Sequence, residues 1–152
     1  MKLKVEVSPN ESEEIVIRCK SRTEKVKRIE NTIEYLINED AEKVLFIGET
    51  EFYVPYKKIL FFEPSQGKIF AHTKDRIFTT SEKTLGALEQ SLPPYFLRAS
   101  KSCIINALQI SSISHNLTGP SKITFASSDK VAYASRSYYK YLKERVYSLR
   151  GL

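Results

Sequence analysis

The sequence predicts an α+β, β-dominated fold: several small antiparallel sheets with two or three helices. Three observations lead there. From Lys43 onward, short apolar or alternating runs recur at close spacing, as strands do when one or both faces are buried. Only two or three stretches show helical spacing. The strand–helix alternation of a doubly wound parallel sheet is absent. Apolar residues make up 41% of the 152-residue chain, enough to fill the core of one domain, or of one domain with a small extension.

The elements follow in chain order. Leu3, Val5 and Val7 alternate with polar neighbours over residues 2–7, and residues 15–19 do likewise, so both read as strands around the turn-forming Ser8-Pro9-Asn10. Ser21 and Glu24 form a capping box. It opens a helix striped by Val26, Ile29, Ile33, Leu36 and Ile37 and ended at Asn38-Glu39-Asp40. Strands are expected over residues 44–47, 52–54 and 59–62. A turn at Pro64-Ser65-Gln66-Gly67 leads to strands 69–73 and 76–80 around Lys74-Asp75. Ser81 caps a short helix with Leu85, Leu88 and Leu92 on one face, which Pro93-Pro94 stops. Strands 96–99, 103–106, 109–114, 122–126 and 131–135 complete the β-structure. Tyr139, Leu142, Val146 and Leu149, spaced by 3, 4 and 3, mark a helix running to the C-terminus with Ser135 or Ser137 as N-cap. Residues 1–42 thus read as a strand–strand–helix extension, and residues 43–152 as the main domain.

Charge is distributed unevenly. Residues 1–95 carry 15 Lys/Arg against 16 Asp/Glu, a net of −1, whereas residues 96–152 carry 9 against 2, a net of +7. On charge alone two readings stand: a solvated basic face, or a footprint for a polyanion such as nucleic acid or an anionic membrane surface. Arg136 sits at a strand-to-helix corner, where free backbone N–H groups and the helix dipole favour an anion. With serine hydroxyls on both sides it makes a phosphate clamp. Lys143, Arg145 and Arg150 read as the solvated face of the last helix. Upstream, Ser100-Lys101-Ser102 interrupts a strand pattern with hydroxyls and a cation. That composition suits a loop facing phosphates and base edges, and equally a polar turn between two strands.

Other chemistry lacks its residues. His72 and His115 have no partner at metal-ligand spacing, no nucleophile motif or glycine-rich phosphate loop is present, and no catalytic constellation is visible. No cofactor is expected. Glu49-Thr50-Glu51 reads as a hairpin turn, and the tyrosines of the last helix as core and rim packing. Cys19 and Cys103 read as reduced thiols of a cytoplasmic protein. The N-terminus resembles no signal peptide, and no apolar run spans a membrane.

At the two basic segments the sequence resembles the LytTR family of bacterial DNA-binding domains. The resemblance rests on Phe96-Leu97-Arg98, Ser100-Lys101-Ser102, Ile104-Ile105-Asn106 and Ser135-Arg136-Ser137-Tyr138, in that order, with KILFFE (58–63) and TLGALEQSLP (84–93) upstream. It covers roughly residues 43–150. One position departs: the family usually carries His where this chain has Ser100, so the DNA sequence its relatives prefer does not transfer. The resemblance implies a compact β fold that presents loops to successive major grooves of double-stranded DNA at paired repeats, as a transcriptional regulator and a homodimer at least on DNA. Its contact loops map to Gln66–Lys68, Ser100–Ser102 and Arg136–Ser137, which names Gln66, Lys68, Ser100, Lys101, Ser102, Arg136 and Ser137 as DNA-binding residues. Many relatives carry a receiver domain, for which residues 1–42 are too few. Relatives of this short architecture are often restrained by a small membrane protein, so such a partner is a further implication. The competing expectation is a basic protein-interaction module docking an acidic or membrane partner.

Overall fold

The computed structural model describes residues 2, 4–10, 12, 14–37 and 41–152. Leu3, the Leu36 side chain and the expected helix stop Asn38-Glu39-Asp40 lie outside them. The elements are α1 (Glu24–Ile37), β1 (Glu42–Ile47), β2 (Thr50–Pro55), β3 (Ile59–Ser65), β4 (Lys68–Thr73), β5 (Ile77–Thr79), α2 (Leu85–Ser91), β6 (Phe96–Ser100), β7 (Cys103–Asn106), β8 (Ile110–Ser114), β9 (Ser121–Phe125), β10 (Val131–Ala134) and α3 (Arg136–Arg150). The strands form a seven-stranded sheet in the order β2-β1-β5-β4-β3-β7-β6 and a three-stranded sheet in the order β10-β9-β8. Every pairing is antiparallel.

The middle of the large sheet is buried on both faces. Ile59, Leu60, Phe61 and Phe62 are all buried, as are all four residues of β7, so these segments read as continuous runs rather than alternating ones. Side chains of β7 point alternately into two cores, and β3 serves the same two, with an irregularity between Ile59 and Phe61 that turns both Leu60 and Phe61 to one of them. On one face Phe61, Leu97 and Ile105 pack against Ile123, Phe125 and Ala132 of the small sheet and Leu142 and Val146 of α3. On the other, Ile59, Phe62 and Ile104 pack with Leu85 and Leu88 of α2 and with Leu45 and Val54 of the β1–β2 hairpin. Lys43 is buried at the edge of this second core, where its ammonium meets the Glu82 carboxylate at 2.7 Å.

Asn106 ends β7 with no solvent exposure. Its amide donates to the carbonyls of Ile59 (3.0 Å) and Tyr56 (3.4 Å), and its Oδ1 accepts from the Leu108 N–H. The side chain thus satisfies backbone groups of two connections that could not otherwise be buried.

Three expectations are corrected. Residues 2–7 and 15–19 form no strand among the described residues. Val5, Val7, Ile15 and Val16 stand exposed, Val7 at 90%, because alternation makes a strand only once the segment is paired. The caps also move toward the helices. Thr23, not Ser21, accepts from the Val26 N–H at the start of α1, and Thr84, not Ser81, accepts from Ala87 N–H at the start of α2. In each case the residue immediately before the first helical one does the capping, as the geometry of an N-cap requires.

Removing the Asn106 side chain strands the backbone groups that it serves. Asn106→Ala is expected to cost about 2–4 kcal/mol in urea denaturation. Burial of Cys103 pushes its thiol up to about 12, while Cys19 is exposed. A thiol reagent applied to the native protein at pH 8 should therefore modify Cys19 rapidly and reach Cys103 only on unfolding.

Candidate nucleic-acid interface

Antiparallel register sets which turns share an edge. In the β3–β7 pair Phe61 lies opposite Ile105 and Phe62 opposite Ile104, so the chain leaves β3 where it enters β7. The β3–β4 turn and the β6–β7 turn therefore emerge at the same end of the seven-stranded sheet. Gln66 and Gly67, at φ 50° and 74°, form a two-residue turn closed by the Ser65–Lys68 pair. Positive φ at both central positions matches the twist of the flanking strands. Gln66, Gly67 and Lys68 are all exposed.

The β6–β7 turn is stiffened from within and without. The Ser102 N–H donates to Ser100 Oγ at 3.2 Å, and the two serine hydroxyls lie 3.4 Å apart. Arg98 braces it from below: Nη1 donates to the Lys101 carbonyl at 2.8 Å, and Nε donates to Glu89 of α2 at 3.0 Å. The Lys101 ammonium is left exposed at the tip.

The third segment is tied to the second by the backbone. Ser135 N–H donates to the Ala99 carbonyl at 2.8 Å, which brings the β10-to-α3 corner against the end of β6. Ser135 holds the N-cap position, as expected, and its carbonyl accepts from Tyr138 and Tyr139. Its hydroxyl does not cap the helix and instead lies 3.2 Å from the Ser137 hydroxyl. The first N–H groups of α3 consequently face outward with Arg136 and Ser137, both exposed.

Lys101 and Ser137 line one open cleft of about 510 Å³ with Glu89, Arg98, Tyr138 and Tyr141. Gln66 and Lys68 share the sheet end but not the cleft, with β3 and β7 lying between their strand β4 and β6. Among the described residues, Lys68, Lys101 and Arg136 make no ion pair, so each keeps its charge available. Arg150 departs from expectation: it donates to the Ile110 carbonyl at 2.7 Å and fastens α3 to the small sheet instead of facing solvent alone. The tyrosines also lie nearer the surface than their spacing suggests. Tyr138 and Tyr139 are half-buried, Tyr133, Tyr141 and Tyr147 exposed. His115 stacks on Tyr139 with ring centres 3.9 Å apart, which sets the β8–β9 loop beside the first turn of α3. Composition could not show these neighbours. Arg98 stood out only as part of a motif, and nothing in the sequence joined Glu89 to it. No group of three metal-ligating side chains occurs among the described residues, and no helix there is long and apolar enough to cross a membrane.

A sheet end that gathers two polar turns and the strand-to-helix corner at the start of α3, with three cations that make no ion pair among the described residues, defines a basic loop platform. The model of the LytTr DNA-binding domain family matches residues 49–146, and the chain belongs to that family, for which the implied partner is DNA. Among solved structures it is similar to the LytTr DNA-binding domain of a Bacillus cereus protein described as a methyl-accepting/DNA response regulator. The two are 21% identical with a TM-score of 0.63, over 74% of this chain and 98% of that one. A comparison with curated proteins returns no match.

Arg98 acts on the platform through the Lys101 carbonyl. Arg98→Ala should leave global stability within about 1 kcal/mol, as partly exposed ion pairs do. Amide hydrogen exchange at Ser102 should accelerate, whereas exchange at Ile104 and Ile105 should not.

Proposed function

We propose that this protein is a sequence-specific, double-stranded DNA-binding transcriptional regulator acting in the cytoplasm. Family membership supports DNA as the partner, and one observation carries the finer reading. Lys101 and Ser137, far apart in sequence, line a single cleft beside the start of α3. In this reading Lys101 and Ser100 enter a major groove, wide enough for a two-stranded ribbon, and Ser102 stiffens their turn. Arg136, Ser137 and the outward N–H groups of α3 hold the adjoining phosphates. Gln66 and Lys68 reach the duplex from the same sheet end. The buried part of the family motif, Ile104-Ile105-Asn106, serves packing.

Each copy offers few base contacts, each discriminating by about 1–3 kcal/mol. Occupancy of two copies on paired repeats supplies the remaining selectivity, so the working unit on DNA is a homodimer. Residues 43–152 form the DNA-binding domain and residues 1–42 an extension to it. A small restraining membrane protein is the remaining partner this reading includes.

A binding titration against salt concentration tests the assignment. Arg136→Ala should weaken binding to all sequences alike and reduce the salt slope by about one. Lys101→Ala should instead narrow the gap between cognate and scrambled duplexes. A basic module that docks an acidic protein or a membrane predicts something else: unrelated competitor DNA displaces the cognate site at equal concentration, and neither variant changes that.

A further inference from the structure

Two features stand unmatched in the fold. The segment from Glu14 to Lys20 alternates like a strand, contains no Pro or Gly, and exposes Ile15 and Val16 at 63% and 55%. At the far edge of the seven-stranded sheet, β2 pairs only with β1 among the described residues, leaving its second backbone edge open. Tyr53, on the outer face of that edge strand, is 64% exposed. An open edge with apolar side chains is a template for another strand.

The two match in one antiparallel register. With Arg18 opposite Glu51, Ile17 meets Phe52, Val16 meets Tyr53 and Ile15 meets Val54. One step further along, Cys19 meets Thr50 and Lys20 meets Glu49 of the β1–β2 turn. Period-two alternation then places Ile15 and Ile17 beside Val54 and Phe52, which pack in the second core. It puts Val16 and Arg18 beside Tyr53 and Glu51 on the outer face. The exposed Glu49 and Glu51 oppose pairing of β2 with a second β2 and favour a cationic strand.

The partner is a second copy. Within one chain residues 15–19 form no strand and β2 pairs only with β1 among the described residues, so the segment does not occupy its own β2, and the charge match of the register is left for a neighbouring copy. The geometry points to reciprocal strand exchange: residues 14–20 of each copy add to the free edge of β2 in the other, giving a two-fold dimer that forms without DNA.

Sedimentation velocity of the full chain without DNA tests this. The wild-type protein should show a concentration-dependent dimer. Arg18→Glu with Lys20→Glu, or Glu49→Lys with Glu51→Lys, should each weaken it by about tenfold or more. All four substitutions in one chain restore opposite charges and should restore association. An unchanged dimer in both double variants, or no recovery in the quadruple one, overturns the proposal. Thr50→Cys sets a thiol opposite Cys19. Under mild oxidation a disulfide between these two positions, located by peptide mass spectrometry, should link separate chains. If it forms within one chain, exchange between copies is overturned. Association without DNA is the readout throughout, so these outcomes are separable from those of the DNA titration.

Discussion

The burial of β3 and β7 on both faces is the constraint from which the rest of the structure follows. A strand sequence with no polar face needs a cover on each side. The small sheet with α3 covers one face, and α2 with the β1–β2 hairpin covers the other. With both faces of its middle occupied, the sheet displays polar side chains chiefly at its turns. Antiparallel pairing then sends the β3–β4 and β6–β7 turns out at the same end. The candidate surface is thus a consequence of the packing.

The β6–β7 turn is also preorganised. Hydrogen bonds hold the β6–β7 turn on three sides: the Ser100–Ser102 contact, the Arg98 brace and, one residue below, the Ser135–Ala99 backbone bond. A loop fixed in this way loses less conformational freedom when it meets a duplex than a free one does. Arg98 therefore contributes through position, its own charge being matched by Glu89, while Lys101 and Arg136 make no ion pair among the described residues. Family membership makes DNA the implied partner of the chain.

Much of this was legible in the sequence, and the reasons differ by element. The apolar run at residues 59–62 was legible as a strand, and the 3-4-3 spacing after Ser135 placed α3 with Leu142 and Val146 inward. The corner at Arg136 was legible because a helix N-terminus has known chemistry. Three kinds of feature were not. Alternation over residues 2–7 and 15–19 signals the capacity to pair but not whether the chain itself supplies the pairing. Thr23 and Thr84 outcompeted nearby serines as caps because they directly precede the first helical residues. Contacts between distant elements, such as Arg150 with Ile110 or His115 with Tyr139, leave no local trace.

The central claim is that three turns distant in sequence act as one surface toward a duplex. Backbone amide shifts of the ¹⁵N-labelled protein, followed as cognate duplex is added, address it most directly. The account predicts that Gly67, Lys101, Ser102, Arg136 and Ser137 move together and saturate at a common DNA concentration, while β2 and the β1–β2 turn stay still. Shifts centred on β2 or the acidic β1–β2 turn, with those five residues unmoved, contradict it.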